Sequence, residues 1–186
     1  MVRRPALSCG VTLVELLIVV SLLAVLASVV VPTLSTLDDQ RLTVAASEVR
    51  NALRLARAEA MRRGKSVLVD AETSPGHVKL LVTSCSSYST SATAVTDPRT
   101  KSAFDLDVTG GPFSGGVAVT PRFLASGGTA YAGLVFGADG SANDVCQVSG
   151  TNGEGAPQAG SQVVLSLSGR QAVVAIDPPT GRVTGP

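Results

Sequence analysis

The sequence predicts an α+β protein in which a long N-terminal helix is followed by a small antiparallel β head. Three observations support this prediction. Residues 11–31 are largely apolar and contain one ionisable residue, and residues 33–63 repeat apolar side chains with a helical period. After Gly64 apolar and polar residues alternate between turns rich in Gly and Pro. The length of 186 residues suits one domain with an anchor.

The apolar segment 11–31 stops at Pro32, and Glu15 is its one ionisable residue. As a helix, its 21 residues would reach about 31 Å, the hydrocarbon thickness of a bilayer. The sequence therefore predicts a transmembrane helix over 11–32. Because Pro withholds an amide and clashes with the preceding turn, we expect a kink at Pro32.

Glu15 lies in a segment where a carboxylate costs on the order of 2–3 kcal/mol and persists mainly beside a partner. No basic residue lies between Arg4 and Arg41. Two interpretations are open: the carboxylate reaches water at one interface, or another chain supplies its partner. If cleavage after Gly10 removed residues 1–10, the new amino group of Val11 would lie one helical turn from Glu15. The Val11 amine of a neighbouring copy could then pair with the Glu15 carboxylate of this one.

Residues 1–10 form a short leader that carries Arg3 and Arg4, which favours a cytoplasmic N-terminus and a head outside the inner membrane. Two other kinds of N-terminal export signal fit this sequence less well. A conventional secretory signal would need small residues after the apolar segment, where 27–29 offers only a mediocre site. A lipoprotein signal needs its cysteine after the apolar core, whereas Cys9 precedes it.

Residues 33–64 are predicted to be the amphipathic outer half of the same helix. Arg62 and Arg63 followed by Gly64 are typical of a helix C-terminus. The β head is expected to cover the apolar stripe, which consists of Leu42, Ala45, Ala46, Val49, Ala52, Leu53, Ala56 and Ala60.

Arg50, Arg54 and Arg57 share one face of this predicted helix. Two interpretations are open for them. They form a basic strip that meets acidic groups of a neighbouring subunit or a nucleic-acid backbone, or they form an ordinary solvated face.

The β head is predicted over residues 65–186, as short strands separated by turns. The turn at 74–76 should join the first two strands in a hairpin, and residues 84–100 should be a polar loop with little to bury. The predicted strands are 66–71, 77–83, 117–124, 132–136, 163–167 and 172–176.

Cys85 and Cys146 remain when Cys9 leaves with the leader. An even pair in an oxidising compartment predicts a disulfide, worth roughly 4 kcal/mol in the chain-entropy model. The alternative is two independent thiols.

We expect no catalytic site, no metal site and no cofactor. His77 is the only histidine, is predicted to lie at the surface, and no Gly-x-Ser-x-Gly elbow is present. The cysteine pair has no nearby Cys or His with which to bind zinc. Residues 139–144 resemble a calcium loop but lack its glycine at the sixth position and its acid at the twelfth, so they are predicted to be a turn.

The N-terminal features together resemble the class III signal of type IV pilins and type II secretion pseudopilins. They are the basic leader, Gly10, Glu15 and the unbroken apolar helix, with Val11 where that family usually has Phe or Met. Residues 51–63 are similar to the outer-helix signature of the GspH/FimT branch of minor pilins. The resemblance implies a pilin-like fold, cleavage by a prepilin peptidase between Gly10 and Val11, N-methylation of Val11 and a role for Glu15 in subunit assembly.

The same resemblance implies a minor pseudopilin, a structural subunit of the periplasmic pseudopilus of a type II secretion system. It would lie in the lipid of the bacterial inner membrane and assemble with other pseudopilins or pilins through its N-terminal helix. The alternative is a FimT-like minor pilin of a type IV pilus that binds DNA in natural transformation. A third possibility is a single-pass protein that only borrows a pilin-like anchor.

The charge of the head bears on these alternatives. From Ser66 onward there are six basic and nine acidic residues, a net charge of −3. Binding to phosphate backbones requires a basic surface, so protein partners are favoured over nucleic acid. Arg170 and Arg182 are the candidates for a local patch that contacts DNA or a protein partner.

Overall fold

The computed structural model of the chain shows one long helix followed by two antiparallel sheets, the α+β fold that the sequence predicts. Contacts divide the chain into two compact units, residues 1–37 and residues 38–186. The structure gives the backbone but not the side chains of residues 27–36 and 152–153, and it gives the side chains of the other residues that it describes. The described residues are 12–89, 91–111, 115–148, 152–153 and 155–186.

Helix α1 runs over Leu13–Arg63. Thr12 caps its start, because the backbone N–H of Glu15 donates to Thr12 Oγ1 at 3.2 Å. Gly64, with φ +62°, ends the helix, and the N–H of Lys65 donates to the carbonyl of Ala60, as in a Schellman motif. The predicted C-terminus is confirmed. Pro32 lies inside α1, and its kink stays a prediction.

Glu59 forms a small charged cluster in the last turns of α1. Its carboxylate accepts hydrogen bonds from Arg62, at 2.9 and 2.7 Å, and from Arg63, at 2.6 Å. These hydrogen bonds, of which the one from Arg62 has the largest effect, lower the pKa of Glu59 from 4.5 to about 2. The carboxylate therefore stabilises the folded state above pH 4.5, and this stabilisation is lost as the pH falls from there towards the folded pKa.

Glu59→Gln is expected to lower the free energy of unfolding by about 1 kcal/mol near neutral pH, because it removes the ionic hydrogen bonds of this partly exposed cluster. The difference from the wild type should close as the pH approaches 2, the folded pKa of Glu59. Denaturant unfolding at several pH values measures it. Glu48→Gln is the matched control, since Glu48 has no ion pair among the described residues, and a parallel loss in both variants would contradict the prediction.

Twelve strands, β1 to β12, follow the helix among the described residues. In chain order they are Val67–Asp70, His77–Val82, Thr93–Ala94, Asp105–Asp107, Ala118–Leu124, Ala130–Tyr131, Gly133–Phe136, Ala142–Gln147, Asn152–Gly153, Gln162–Leu167, Arg170–Asp177 and Arg182–Thr184.

The first sheet has the order β3-β2-β1-β7-β8-β9, with β4 also paired to β2. Its strands β1 and β2 form the predicted hairpin, closed where the N–H of His77 donates to the carbonyl of Ser74. The second sheet has the order β12-β11-β10-β5-β6. All of the strand pairs among the described residues are antiparallel.

The main core lies between the outer part of α1 and these two sheets. All eight residues of the predicted apolar stripe are buried, so that prediction is confirmed. They share a cluster with Leu80, Leu134 and Phe136 of the first sheet and with Phe123 and Leu165 of the second. Burial of this many aliphatic side chains is what fixes the helix to both sheets.

A second, smaller cluster uses the alternate residues of β1 and β7. Leu68 and Val135 pack there with Cys85, Cys146 and Val148. Strands β1 and β7 are therefore buried on both faces. The disulfide between Cys85 and Cys146 lies in this cluster, with their Cα atoms 5.9 Å apart.

The segment 84–100 differs from the prediction of a polar loop with little to bury. It contains a 3₁₀ turn at Cys85–Ser87 and strand β3, and both Cys85 and Val95 are completely buried. The prediction was wrong because Cys85 and Val95, ten positions apart in a segment rich in Ser and Thr, give no periodic signal.

Candidate partner-binding surfaces

The first predicted assembly feature is the start of α1. Gly10 and Val11, the predicted cleavage and methylation sites, lie outside the described residues. Glu15 is exposed in the first turn, where its carboxylate is favourably placed for the helix dipole. Thr12 and Glu15 have the Thr-x-x-Glu spacing of a capping box, which is a local signal for the start of a helix.

The next part of α1 presents a continuous apolar surface. Every Leu, Ile and Val between Leu13 and Leu26 is exposed, from 77% for Leu13 to 49% for Val19. An exposed apolar surface of this extent is typical of a site that contacts another protein or a membrane.

Only part of the predicted membrane segment 11–32 is described, because Val11 and the side chains of 27–32 are not. Within the described residues, no helix combines the length and apolarity needed to cross a membrane.

Arg50, Arg54 and Arg57 have a role that the two interpretations offered for them did not include. Each donates a hydrogen bond to a backbone carbonyl of the head. The bonds are Arg50 Nη1 to Gly185 O at 2.9 Å, Arg54 Nη2 to Val183 O at 3.2 Å and Arg57 Nε to Gly140 O at 2.9 Å. The three arginines share one face of α1, as predicted, and they hold strand β12 and the β7–β8 turn against the helix.

Arg170 and Arg182 do not form one patch. They begin β11 and β12, and Arg182 is the register partner of Asp177 at the far end of β11. Arg170 and Asp177 are seven residue steps apart along β11, which is about 23 Å. Arg170 forms an ion pair with Asp39 of α1, and the hydrogen bond with that carboxylate raises the pKa of Arg170.

Arg182 instead lies near two of the helix arginines. A cavity of about 350 Å³ is lined by Arg54, Arg57, Ala58, Met61, Arg182 and Val183. The Arg182 guanidinium is exposed and has no hydrogen bond or ion pair with a described residue. Sequence reasoning missed this grouping because Arg182 and the helix arginines are far apart in the chain, and only the fold brings them together.

Two glycines place Arg182 at this cavity. Gly140 and Gly181 have φ of +81° and +62°, and their turns meet closely. A Cβ on Gly181 would clash with the carbonyl of Gly140 and would lie 3.2 Å from Arg57 Nε. The absence of side chains at both glycines therefore allows the β11–β12 turn to reach the cavity.

His77 lies on the other sheet, at the start of β2. Its Nδ1 is 2.8 Å from Asp105 Oδ1 on β4, and the side chain is one-third exposed. The pair joins two strands and has no serine in the arrangement of a hydrolase triad among its described contacts. Within the described part of the chain, no three His, Cys, Asp or Glu side chains are grouped as metal ligands would be.

Comparison with known proteins gives one family match. The family model described as Type II transport protein GspH matches residues 45–179. This range begins in the buried stripe of α1 and includes both cysteines of the disulfide, Arg54 and Arg57, whereas Arg182 lies beyond it. No curated protein matches the chain in sequence.

Two solved structures are similar to the chain, both of the type IV minor pilin FimU from Pseudomonas aeruginosa (strain PAO1). Each is 16% identical and covers 78% of this chain. The crystal form in space group P65 is covered over 92% of its length with a TM-score of 0.44, and the form in P21 over 87% with a TM-score of 0.46.

Proposed function

Because the chain belongs to the GspH family of type II transport proteins, we propose that it is a minor pseudopilin of the periplasmic pseudopilus of a type II secretion system. Its role is that of a minor pilin or pseudopilin, a structural subunit and not an enzyme. The finer assignment to secretion rests on the family description and on the acidic head, whose net charge of −3 disfavours a nucleic-acid partner.

The observation that carries the proposal is the apolar surface of residues 13–26 with a single acid, Glu15, at the capped start of α1. In the proposed assembly, a prepilin peptidase cuts after Gly10 and methylates Val11, and residues 11–32 anchor the subunit in the inner membrane with the head in the periplasm. The exposed aliphatic side chains then pack among the like helices of other pseudopilins. The Glu15 carboxylate meets the Val11 amine of a neighbour, which removes the cost of an unpaired charge in an apolar environment.

Glu15→Val is expected to leave the protein in the membrane fraction but to reduce its incorporation into filaments at least tenfold. The reason is that losing one partner of a desolvated ion pair leaves the other charge unpaired. Cross-linking of the variant to neighbouring subunits in cells measures incorporation, and fractionation measures insertion.

Ser21→Val is the matched control, since Ser21 is an exposed polar residue of the same apolar helix whose hydroxyl only donates to the carbonyl of Leu17. It should assemble normally. Normal assembly of Glu15→Val would favour a single-pass protein with a borrowed anchor over a filament subunit.

A minor pilin of a type IV pilus is the second candidate. One observation favours it: the exposed Arg182 guanidinium lies beside Arg54 and Arg57, and such a group of cations suits an anionic ligand. DNA binding by this group is therefore the feature that separates the second candidate from the first.

A further inference from the structure

Three arginines from two distant parts of the chain line one cavity. Arg54 and Arg57 come from α1 and Arg182 from β12. The cavity holds about 350 Å³, and no acidic residue is among its described lining, which is completed by Ala58, Met61 and Val183. Three cations without an acid among them create a strong preference for an anion.

The two helix arginines are held in place and still have donors to offer. Arg54 gives one N–H to Val183 O and Arg57 gives one to Gly140 O. A guanidinium carries five N–H donors in a planar fork, and no other hydrogen bond joins these two groups to a described residue. Arg182 contributes a third fork with no partner among the described residues. The cavity is thus built to receive a planar, bidentate anion.

We propose that this cavity binds a carboxylate side chain presented by an acidic segment of another protein. The alternative ligand is a nucleic-acid backbone, and two acids argue against it. Asp177 is the register partner of Arg182, and Asp139 directly precedes Gly140, which Arg57 contacts. One carboxylate can enter between the arginines and avoid both acids. A nucleic-acid backbone holds its neighbouring phosphates at a fixed, short spacing and would bring their charges against these two acids, whereas the side chains of a flexible peptide can turn away from them.

The source of the carboxylate rests on the proposed function. In a filament, the acidic segment belongs to an adjacent subunit, and the cavity holds that subunit's head against the outer helix of this one. The bond itself does not depend on assembly, so it can be measured on the dispersed full chain in detergent. A failed assembly test with Glu15→Val would leave this measurement unaffected.

The experiment measures the binding of a fluorescent, terminally blocked tetraglutamate peptide to the full chain by anisotropy at low salt, with a tetraglutamine peptide as the uncharged control. Tetraglutamate should bind and tetraglutamine should not. Arg182→Gln should weaken tetraglutamate binding about tenfold, the effect of losing one charge-assisted hydrogen-bonding partner. Its fold should be unchanged, because the side chain bonds no described residue.

Arg122→Gln is the matched control, since it removes the same charge from an exposed position on β5 outside the cavity, and it should bind as the wild type does. Equal weakening by both variants would mean that the change in net charge alone explains the effect, and it would overturn the proposed site. Absence of tetraglutamate binding to the wild type would also overturn it. Tighter binding of a short DNA duplex that is lost in Arg182→Gln would overturn the carboxylate assignment in favour of nucleic acid.

Discussion

Replacing Cys85 and Cys146 together by alanine is expected to lower the free energy of unfolding by roughly 4 kcal/mol. The disulfide joins residues 61 positions apart, so the unfolded chain without it gains the entropy of a long open loop. The closed loop contains all the strands from β3 to β7, including β7 at the centre of the first sheet. Both cysteines are also buried against Leu68 and Val135, so their truncation removes packing as well.

The measurement is denaturant unfolding of the full chain in detergent, with and without reductant. The reduced wild type should lose nearly as much stability as the double variant, and reductant should have no further effect on the variant. Cys9→Ala is the control, because Cys9 lies in the proposed leader and outside the disulfide. A loss below about 1 kcal/mol in the double variant would contradict the chain-entropy argument, whose size depends on the unfolded state being open.

The helix was the most predictable part of the fold. Its apolar stripe repeats over five turns between Leu42 and Ala60. A pattern that repeats so often can be recognised even if one position departs from it. Its end was predictable from Arg62, Arg63 and Gly64, since each has a local reason to be there. Local propensity and tertiary packing agree throughout this segment, which is why sequence reasoning succeeded.

The strands were predicted where β-branched residues cluster, and missed where polar residues occupy a paired strand. Strand β8, Ala142–Gln147, was predicted in part as a turn because Asn143 and Asp144 follow Gly140. The turn closes at Ser141, whose carbonyl accepts from the N–H of Gly137, and the strand begins at the next residue. Asn143 and Asp144 fit because they are at the less buried positions of β8, between the buried Ala142 and Val145.

The candidate cavity could not be predicted, because its members share no local pattern. Helical spacing grouped Arg54 with Arg57, but spacing cannot show what covers that face. Strand β12 has only three residues, flanked by glycines, and was not predicted at all. Without β12, Arg182 was grouped with Arg170, which the structure pairs with Asp39 at the other end of β11. Hydrogen bonds from arginine to distant carbonyls depend on the complete fold.

Gly181→Ala is expected to lower the free energy of unfolding by about 3 kcal/mol, through a mechanism that a matched variant can isolate. Gly181 has φ +62°, a conformation that costs an L-residue about 1 kcal/mol. Its new Cβ would also overlap the carbonyl oxygen of Gly140 and lie 3.0 Å from the carbonyl carbon. Both obstacles are backbone atoms, so relief requires the β11–β12 turn to move away from the β7–β8 turn.

Gly64→Ala is the control for the backbone term, because Gly64 has the same φ of +62° and a Cβ there would meet nothing within 4 Å. It should lose about 1 kcal/mol, so that the difference between the two variants measures the clash alone. Equal losses would mean that the turns adjust freely. If the losses differ, the clash displaces the β11–β12 turn together with Arg182. Gly181→Ala should then also weaken tetraglutamate binding, whereas Gly64→Ala should not. The close contact of two glycines would then be what holds the third arginine at the cavity.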